Sequence, residues 1–519
     1  MASDFPTTQS PEGLVNVAFQ NVAAFDWTAL HLSPSNNAVI HLSFSSEVES
    51  KGDEYDLKSL GYFPSAHIPV DSPLLLLART HKFSAGLGDK LEHITVNSSG
   101  TFTLDLVLGC GKNSEFLLSD LYTLTKGVAE VLTKYKISKA AFVLEHMESE
   151  FIEGLLTGTF VNLSVDNRFK KDAKHEYYLK DVLVFHSDKD VEHTEERSKV
   201  FSSAMHLTRE LVTAPPNYAN TVSISTFIKK HFEELGLEVK VLEKDECEKL
   251  GMGAYLAVSQ GSKYPPKFIH ATYKGEGPIK KKIALVGKGI MFDAGGYNMK
   301  SAASEIHLMK FDMGGMATVF GAAKAIAGLG PKGLEVHFVS ATCENMVDAN
   351  SYRPGDIITA SDGKTIEVTN TDAEGRLTLA DALCYAGKLD VDVILDIATL
   401  TGAQIIALGY NYSAFFASSD ELAEVFAKSV KLSGELSWRM PLAKEYRDSL
   451  KSKVADLANH SPEVKAGTIG AALFLQEFVK KPWVHVDIAG PAFDKSTGRG
   501  TGYFVRTLTN FVLELARTS

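Results

Sequence analysis

The 519-residue sequence predicts an α/β protein in two parts. Residues 1–190 form a smaller N-terminal α/β domain, and 191–519 a larger domain with a mixed, largely parallel central sheet flanked by helices. Three observations carry this reading. The chain is too long for one ordinary hydrophobic core. Short apolar runs alternate with helical patterns along its length, as parallel strands joined by helical crossovers require. A charged stretch, His186-Ser187-Asp188-Lys189-Asp190, starts a linker into a helix over Thr194–Leu211, which Ala214-Pro215-Pro216-Asn217 then breaks because proline cannot continue it.

In the first part, apolar runs at Ala38–Phe44, Leu74–Ala78, Phe102–Leu108, Ala140–Leu144 and Tyr177–Phe185 accompany a helical pattern over Phe116–Tyr135. No catalytic constellation falls among them. In the second part, strands are expected at Glu238–Leu242, Ile283–Val286, Glu335–Ser340, Val393–Ile397 and Trp483–Ile488. Helices are expected between them at Ser223–Leu235, Ala317–Ala327, Leu377–Ala386, Glu421–Leu432, Thr468–Val479 and Phe504–Leu515. The most apolar stretch, Val391–Ala417, is interrupted by Asp392, Asp396, Thr399, Thr401 and Asn411, so it reads as a buried strand and an active-site loop. His485, on the run Trp483–Ile488, reads as a core histidine.

Apolar content of 45% and charged content of 23% are those of a globular protein. A net charge of −11 and a pI near 5.8 argue against nucleic acid or an anionic membrane as partner. Lys170-Lys171 and Lys280-Lys281-Lys282 are short enough to be solvated faces. Cys110, Cys247, Cys343 and Cys384 lie far apart without a C-x-x-C, as reduced thiols do. No lysine or arginine precedes Lys51, which predicts no secretory or Arg-rich leader, and no apolar stretch is long enough to span a bilayer. The expected location is the cytoplasm.

The chemistry gathers in the second part. In Thr369-Asn370-Thr371-Asp372-Ala373-Glu374-Gly375-Arg376-Leu377, two carboxylates stand at i and i+2 and a guanidinium two further on. In an extended segment all three share a face. Adjacent acids repel unless a cation lies between them, and hard oxygen ligands suit a divalent ion. Upstream, the strand Ile283–Val286 ends in a glycine-rich loop carrying Lys288 and Asp293, followed by Lys300 and by Asp312 beside Gly314-Gly315. Loops at carboxyl ends of strands are where α/β folds hold ligands. The glycine spacing matches neither a P-loop nor a dinucleotide fingerprint. Four carboxylates (Asp293, Asp312, Asp372, Glu374) balance two divalent ions, which in two-metal sites stand roughly 3.5–4 Å apart.

At these residues the sequence resembles the two-metal leucine aminopeptidases. The resemblance runs through Val286–Gly296, Met309–Gly315, Arg353–Asp356, Asn370–Leu377, Ala398–Ala403 and Asp487–Gly490, with Glu246–Gly253 upstream, and covers roughly residues 200 to 519. It implies a metal-dependent aminopeptidase that releases N-terminal leucine and similar apolar residues from peptides. Asp293, Asp372 and Glu374 would hold one metal. Lys288, Asp293, Asp312 and Glu374 would hold the other, with Asp293 and Glu374 bridging. Lys300 would polarise the scissile carbonyl and stabilise the oxyanion formed when a bimetal-bound hydroxide attacks. Arg376 would hold a bicarbonate ion as general base. The implied side-chain pocket comprises Met309, Asn370, Ala373, Thr399, Leu400, Gly402, Ala489 and Ala492. Zn²⁺ or Mn²⁺ are the expected ions, with Co²⁺ or Mg²⁺ compatible with the same donors. The resemblance also implies a homo-hexamer. Ala294, where serine is common, and the variable Tyr297-Asn298-Met299 depart from the pattern without touching a proposed ligand. Two alternatives stay open from the residues themselves. One is another two-metal hydrolase, such as a phosphatase or carboxypeptidase; the other is a non-catalytic DNA-binding role, against which the acidic balance argues.

Overall fold

The computed structural model describes residues 5–8, 11–21, 35–45, 73–81, 83–98, 100–144, 147–171, 177–186, 191, 193–461, 463 and 465–517. The chain folds as two compact units, divided between Ser203 and Ala204 inside the helix Thr194–Thr213. The linker expected at His186–Asp190 falls, after His186, outside the described residues.

The described strands of the N-terminal unit are β1 (Asn16–Asn21), β2 (Asn37–Ser45), β3 (Lys90–Val96), β4 (Phe102–Lys112), β5 (Lys139–Leu144) and β6 (Asp181–His186). They form one sheet in the order β1-β6-β5-β2-β4-β3, parallel except for the edge pair β3–β4. β4 is buried continuously from Thr103 to Cys110, enclosing the polar Thr103 and Asp105 in an otherwise apolar strand. Two expectations are corrected here. Leu74–Ala78 lies in a helix, Pro73–Thr80: proline suits a first turn, and leucine and alanine are strong helix formers. The run Tyr177–Phe185 becomes a strand only from Asp181. The helix Ser149–Leu163, weakly marked in sequence because Gly154 and Gly158 interrupt it, packs on Leu121–Lys134. Glycine is required there, since a Cβ on Gly158 would sit 2.6 Å from Thr125 Oγ1.

The larger unit contains β7 (Glu238–Leu242), β8 (Lys267–Lys274), β9 (Lys281–Gly287), β10 (Gly289–Asp293), β11 (Leu334–Asn345), β12 (Ile357–Thr359), β13 (Thr365–Glu367), β14 (Val393–Ala398), β15 (Ser413–Ala417), β16 (Ser437–Arg439), β17 (Leu457–Ala458) and β18 (Trp483–Asp487). Its main sheet runs β16-β15-β18-β14-β9-β11-β8-β7, with β10 continuing beside β11, while β12, β13 and β17 make a small separate sheet. The centre, β18-β14-β9-β11, is parallel, and β15, β8 and β7 join antiparallel. Sheet type and flanking helices match the sequence expectation. Within the apolar stretch, β14 is followed by the loop Thr399–Thr401, the helix Gly402–Leu408 and a further strand, β15.

Alternation along β9 explains both cores. Ile283 and Leu285 join Phe320, Leu395 and Phe511 in one apolar cluster, against the helices Gly314–Leu329 and Val505–Arg517. Ala284 and Val286 face the other way, with Ile394, Leu379, Leu383 and Trp483, under the helix Gly375–Ala386. A strand buried on both faces is apolar at every position, as Ile283–Val286 is. Where β9 ends, glycines let backbones touch. A Cβ on Gly287 would lie 2.6 Å from Gly315 O, and one on Gly315 2.1 Å from Ile397 O. This contact seats the helix Gly314–Leu329 directly over the carboxyl ends of β9 and β14. Among the described residues no helix is long and apolar enough to cross a membrane.

Candidate metal centre and active site

Three loops at the carboxyl edge of the central sheet converge. Lys288 follows β9, its backbone held on both sides: its N–H donates to Ile397 O at 3.0 Å and its carbonyl accepts from Met316 N–H at 2.8 Å. The side chain is therefore delivered from a rigid edge. Its Nζ lies 2.7 Å from Asp312 Oδ1, 2.9 Å from Glu374 Oε1 and 2.9 Å from Thr399 O. Asp312 comes from the 3₁₀ segment Ile306–Met313, and Glu374 immediately precedes the helix Gly375–Ala386. Asp293 ends β10; Lys300 Nζ reaches its Oδ2 at 2.8 Å and Asp372 Oδ1 at 2.5 Å.

All five proposed metal ligands and Lys300 thus meet in one cluster. Lys288, Asp293, Asp312 and Glu374 are buried, and Asp372 is the partly exposed member. Four carboxylates packed together repel, and the two ammonium groups interleave with them. Burial alone would lower the pKa of Lys288, but Asp312, Glu374 and Asp293 outweigh it and hold its pKa above the usual lysine value. Lys300 follows the same balance, with burial opposed by Asp293, Glu374 and Asp372. Burial raises Asp312 well above the carboxylate range, against the pull of Lys288 and with Glu374 and Asp293 reinforcing. Asp372 is pushed up to about 7 by burial and by Asp293 and Glu374, with Lys300 opposing.

The donor set fits divalent ions. One donor atom each from Asp293, Asp372 and Glu374 lies within 4.8 Å of the others. Asp312 Oδ2 and Glu374 Oε2 are buried and have no hydrogen-bond partner among the described residues. Buried carboxylate oxygens are costly to leave unpaired, and hard cations are the partners they take in such clusters.

Arg376 sits at the edge of this cluster, buried in the first turn of its helix. Its Nη1 donates to Asn459 O at 2.8 Å, and its Nε has no partner among the described residues. Burial draws its pKa down to about 10. Of the expected pocket residues, Thr399, Leu400 and Gly402 follow β14 and Ala489 and Ala492 follow β18 at the same sheet edge, while Asn370 and Ala373 lie in the loop before the helix Gly375–Ala386 and Met309 in the segment Ile306–Met313. Thr399 is shared with the cluster: its carbonyl accepts from Lys288 and its hydroxyl donates to Asp312 Oδ1 at 2.9 Å. Gly314, two residues after Asp312, places Thr399 Cγ2 and Ala492 Cβ 3.0 and 3.4 Å from where its own Cβ would be. Leu400 N–H and Ala489 N–H both donate to Asp487 Oδ1, at 3.1 and 3.2 Å. Gly402 opens a helix with nothing within 4 Å of a would-be Cβ. Asn370 turns its Oδ1 back to accept from Asp372 N–H at 2.8 Å, Ala373 is buried beside it, and Met309 lies half-buried in the segment carrying Asp312.

His485 stands apart from the cluster: it is fully buried, with Nδ1 2.6 Å from Asp396 Oδ1. Sequence reasoning missed the amides that hold the loops. Asn459 Oδ1 accepts from Thr369 N–H, and its Nδ2 donates to Asn370 O and Ala373 O, pinning the whole carboxylate loop. Asn345 ties Asp293 to Thr371 O. Neither sits in a motif with a readable spacing, and the strand that carries Asn345 runs five residues past the Ser340 end expected from sequence.

A buried carboxylate–lysine cluster at the carboxyl edge of a parallel sheet defines the class, an α/β protein with a candidate metal centre at its sheet edge. Residues 206–509 match the catalytic domain of the cytosol aminopeptidase family, and the chain belongs to that family. A probable cytosol aminopeptidase of Prochlorococcus marinus (strain AS9601) is 44% identical over 455 residues, 85% of this chain and 92% of its own length. One from Nostoc punctiforme is 46% identical over 420 residues, 79% and 84% of the two chains. Another, from Synechococcus sp. (strain CC9605), is 53% identical over 318 residues, 60% and 65%. The chain is accordingly a metal-dependent aminopeptidase, a peptide hydrolase.

Proposed function

We propose that this aminopeptidase releases N-terminal leucine and similar apolar residues from peptides at a two-ion centre. Asp293, Asp372 and Glu374 would hold one ion, and Lys288, Asp293, Asp312 and Glu374 the other. Two divalent ions, Zn²⁺ or Mn²⁺ with Co²⁺ or Mg²⁺ as alternatives, would supply Lewis-acid polarisation of the scissile carbonyl and acidify water near neutral pH. The carrying observation is the pair of buried, unpartnered oxygens, Asp312 Oδ2 and Glu374 Oε2, inside this carboxylate cluster.

The protein groups divide the remaining work. Lys288 must give up the proton that its carboxylate neighbours hold, so ion uptake releases a proton. Lys300 stays cationic. Two of its three N–H donors face Asp293 and Asp372, which leaves one for the carbonyl oxygen as negative charge develops. Arg376, with its Nε unpartnered, would present a planar donor pair to bicarbonate, whose oxygen would serve as the general base. Small or apolar walls at Ala373, Thr399, Leu400, Gly402, Ala489, Ala492 and Met309 offer no counter-charge for acidic or basic side chains. Asn370 shapes that wall from the loop. The family resemblance supports a homo-hexamer in the cytoplasm.

The test is hydrolysis of leucine amide by metal-stripped protein with Mn²⁺ or Zn²⁺ restored, beside Asp372→Ala and an α-amine-blocked substrate. Activity should require metal, Asp372 and the free amine. Full turnover of the blocked substrate would sink the exopeptidase reading.

A further inference from the structure

Asp293 is held by more than its lysine. Its Oδ1 accepts from the Gly295 backbone N–H at 2.9 Å and from Asn345 Nδ2 at 2.8 Å, while Oδ2 faces Lys300. Asn345 is the last residue of β11, in register with Asp293 on β10, and its side chain is fully buried. Its second amide hydrogen goes to Thr371 O at 3.0 Å, one residue before Asp372. One neutral side chain therefore ties the loop of Asp293 to the loop of Asp372 and Glu374.

The chemistry fixes which way this amide points. Flipped, its oxygen would confront Asp293 Oδ1 and Thr371 O, two acceptors, with no proton between them. In the orientation that works, both N–H groups are used, and the oxygen has no partner among the described residues. A Cβ on Gly296 would lie 3.0 Å from that oxygen, so glycine there leaves the amide its room. A lysine or arginine could donate to the same two acceptors, but would bring a charge that competes with any cation in the cluster. An amide donates without one.

We infer that Asn345 is a positioning residue for ion binding. By occupying Oδ1 of Asp293 it commits Oδ2 to the cluster, and by holding Thr371 O it sets the spacing between the two ligand loops. This rests on the two-ion reading above. Residues that orient metal ligands without touching the ion typically govern affinity by about 10–100-fold.

The experiment is calorimetric titration of the metal-stripped full chain with Mn²⁺, comparing wild type with Asn345→Leu and Asn345→Ser. Leucine keeps the branched shape without the hydrogen bonds; serine keeps polarity if leucine disturbs folding, which metal-free thermal melting reports. Tyr352→Phe is the control. It removes the other bond to Thr371 O, 2.7 Å from Tyr352 Oη, and leaves Asp293 alone. Mn²⁺ affinity should fall about 10–100-fold in both Asn345 variants and hold in Tyr352→Phe. Excess Mn²⁺ should restore kcat with KM for leucine amide unchanged. Wild-type affinity in both folded Asn345 variants would overturn the inference, as would an equal loss in Tyr352→Phe. Wild type that takes up neither Mn²⁺ nor, in a parallel titration, Zn²⁺ would overturn the two-ion reading, and this inference with it.

Discussion

Replacing Gly315 by alanine tests whether the site depends on the close seating of one helix. The added Cβ would lie 2.1 Å from Ile397 O and 2.8 Å from Lys288 N. That is roughly 1 Å inside ordinary van der Waals contact, and the nearest atoms are backbone, so no side chain can swing aside. The helix Gly314–Leu329 must lift, or β14 must yield. Either movement loosens the Met316–Lys288 and Lys288–Ile397 backbone bonds and carries Asp312, three residues away, with it. Overpacking of this kind costs about 1–3 kcal/mol of stability. A displacement of about 1 Å at a reacting group costs on the order of 100-fold in rate. The assay is kcat for leucine amide at saturating Mn²⁺, with metal-free thermal melting. Gly470→Ala is the counterpart: Gly470 lies inside the helix Gly467–Gln476 and its Cβ would meet nothing within 4 Å, so the change should be neutral or stabilising by up to about 1 kcal/mol. Gly315→Ala that melts and turns over like wild type would refute the argument.

Further predictions concern charge and protons. Lys300→Met should lower kcat by about 100–1000-fold, the scale of losing one oxyanion donor, with a much smaller change in KM; a loss confined to KM would remove Lys300 from the chemistry. Chelation of the ions should remove about 2.7 kcal/mol of stability for ion present at 100 times its Kd and lower the melting temperature accordingly, and a melting curve indifferent to chelator would contradict ion binding to the folded state. His270 supplies a pH signature. Burial and His337 pull its pKa from 6.5 to about 4, so the folded state resists protonation that the unfolded chain accepts. Stability is then present above about 6.5 and is lost as pH falls toward about 4, by on the order of 3 kcal/mol, and His270→Gln should flatten that slope. An unchanged slope in the variant would assign the acid sensitivity elsewhere.

What the sequence disclosed follows from where its patterns are forced. The parallel centre was legible because strands buried on both faces must be apolar at every position, as Ile283–Val286 shows. The loops that meet in the carboxylate–lysine cluster were legible because carboxylates, lysines and glycines crowd at strand ends there. β8 was not, since Lys267–Lys274 mixes His270, Thr272 and Tyr273, whose hydroxyls and ring nitrogens find partners only in the fold: His270 Nε2 lies 2.9 Å from His337 Nδ1. The helix Pro73–Thr80 escaped because five apolar residues carry no period that separates helix from strand. Asn345 and Asn459 escaped for a different reason. A single amide acts through the direction of its two hydrogens, and direction is a property of three dimensions.

Thr399 has a consequence for how this enzyme can vary. Its carbonyl and hydroxyl serve Lys288 and Asp312, and its methyl faces Gly314 on the proposed pocket wall. On the proposed assignments, a mutation there that reshapes the pocket would also disturb the Lys288–Asp312 contact, so preference and catalysis could not change independently at this position. Gly402, with open space where a side chain would grow, carries no such double duty. If that wall is the pocket, new substrate ranges should arise on its Gly402 side, leaving the Thr399 side frozen across descendants that remain active.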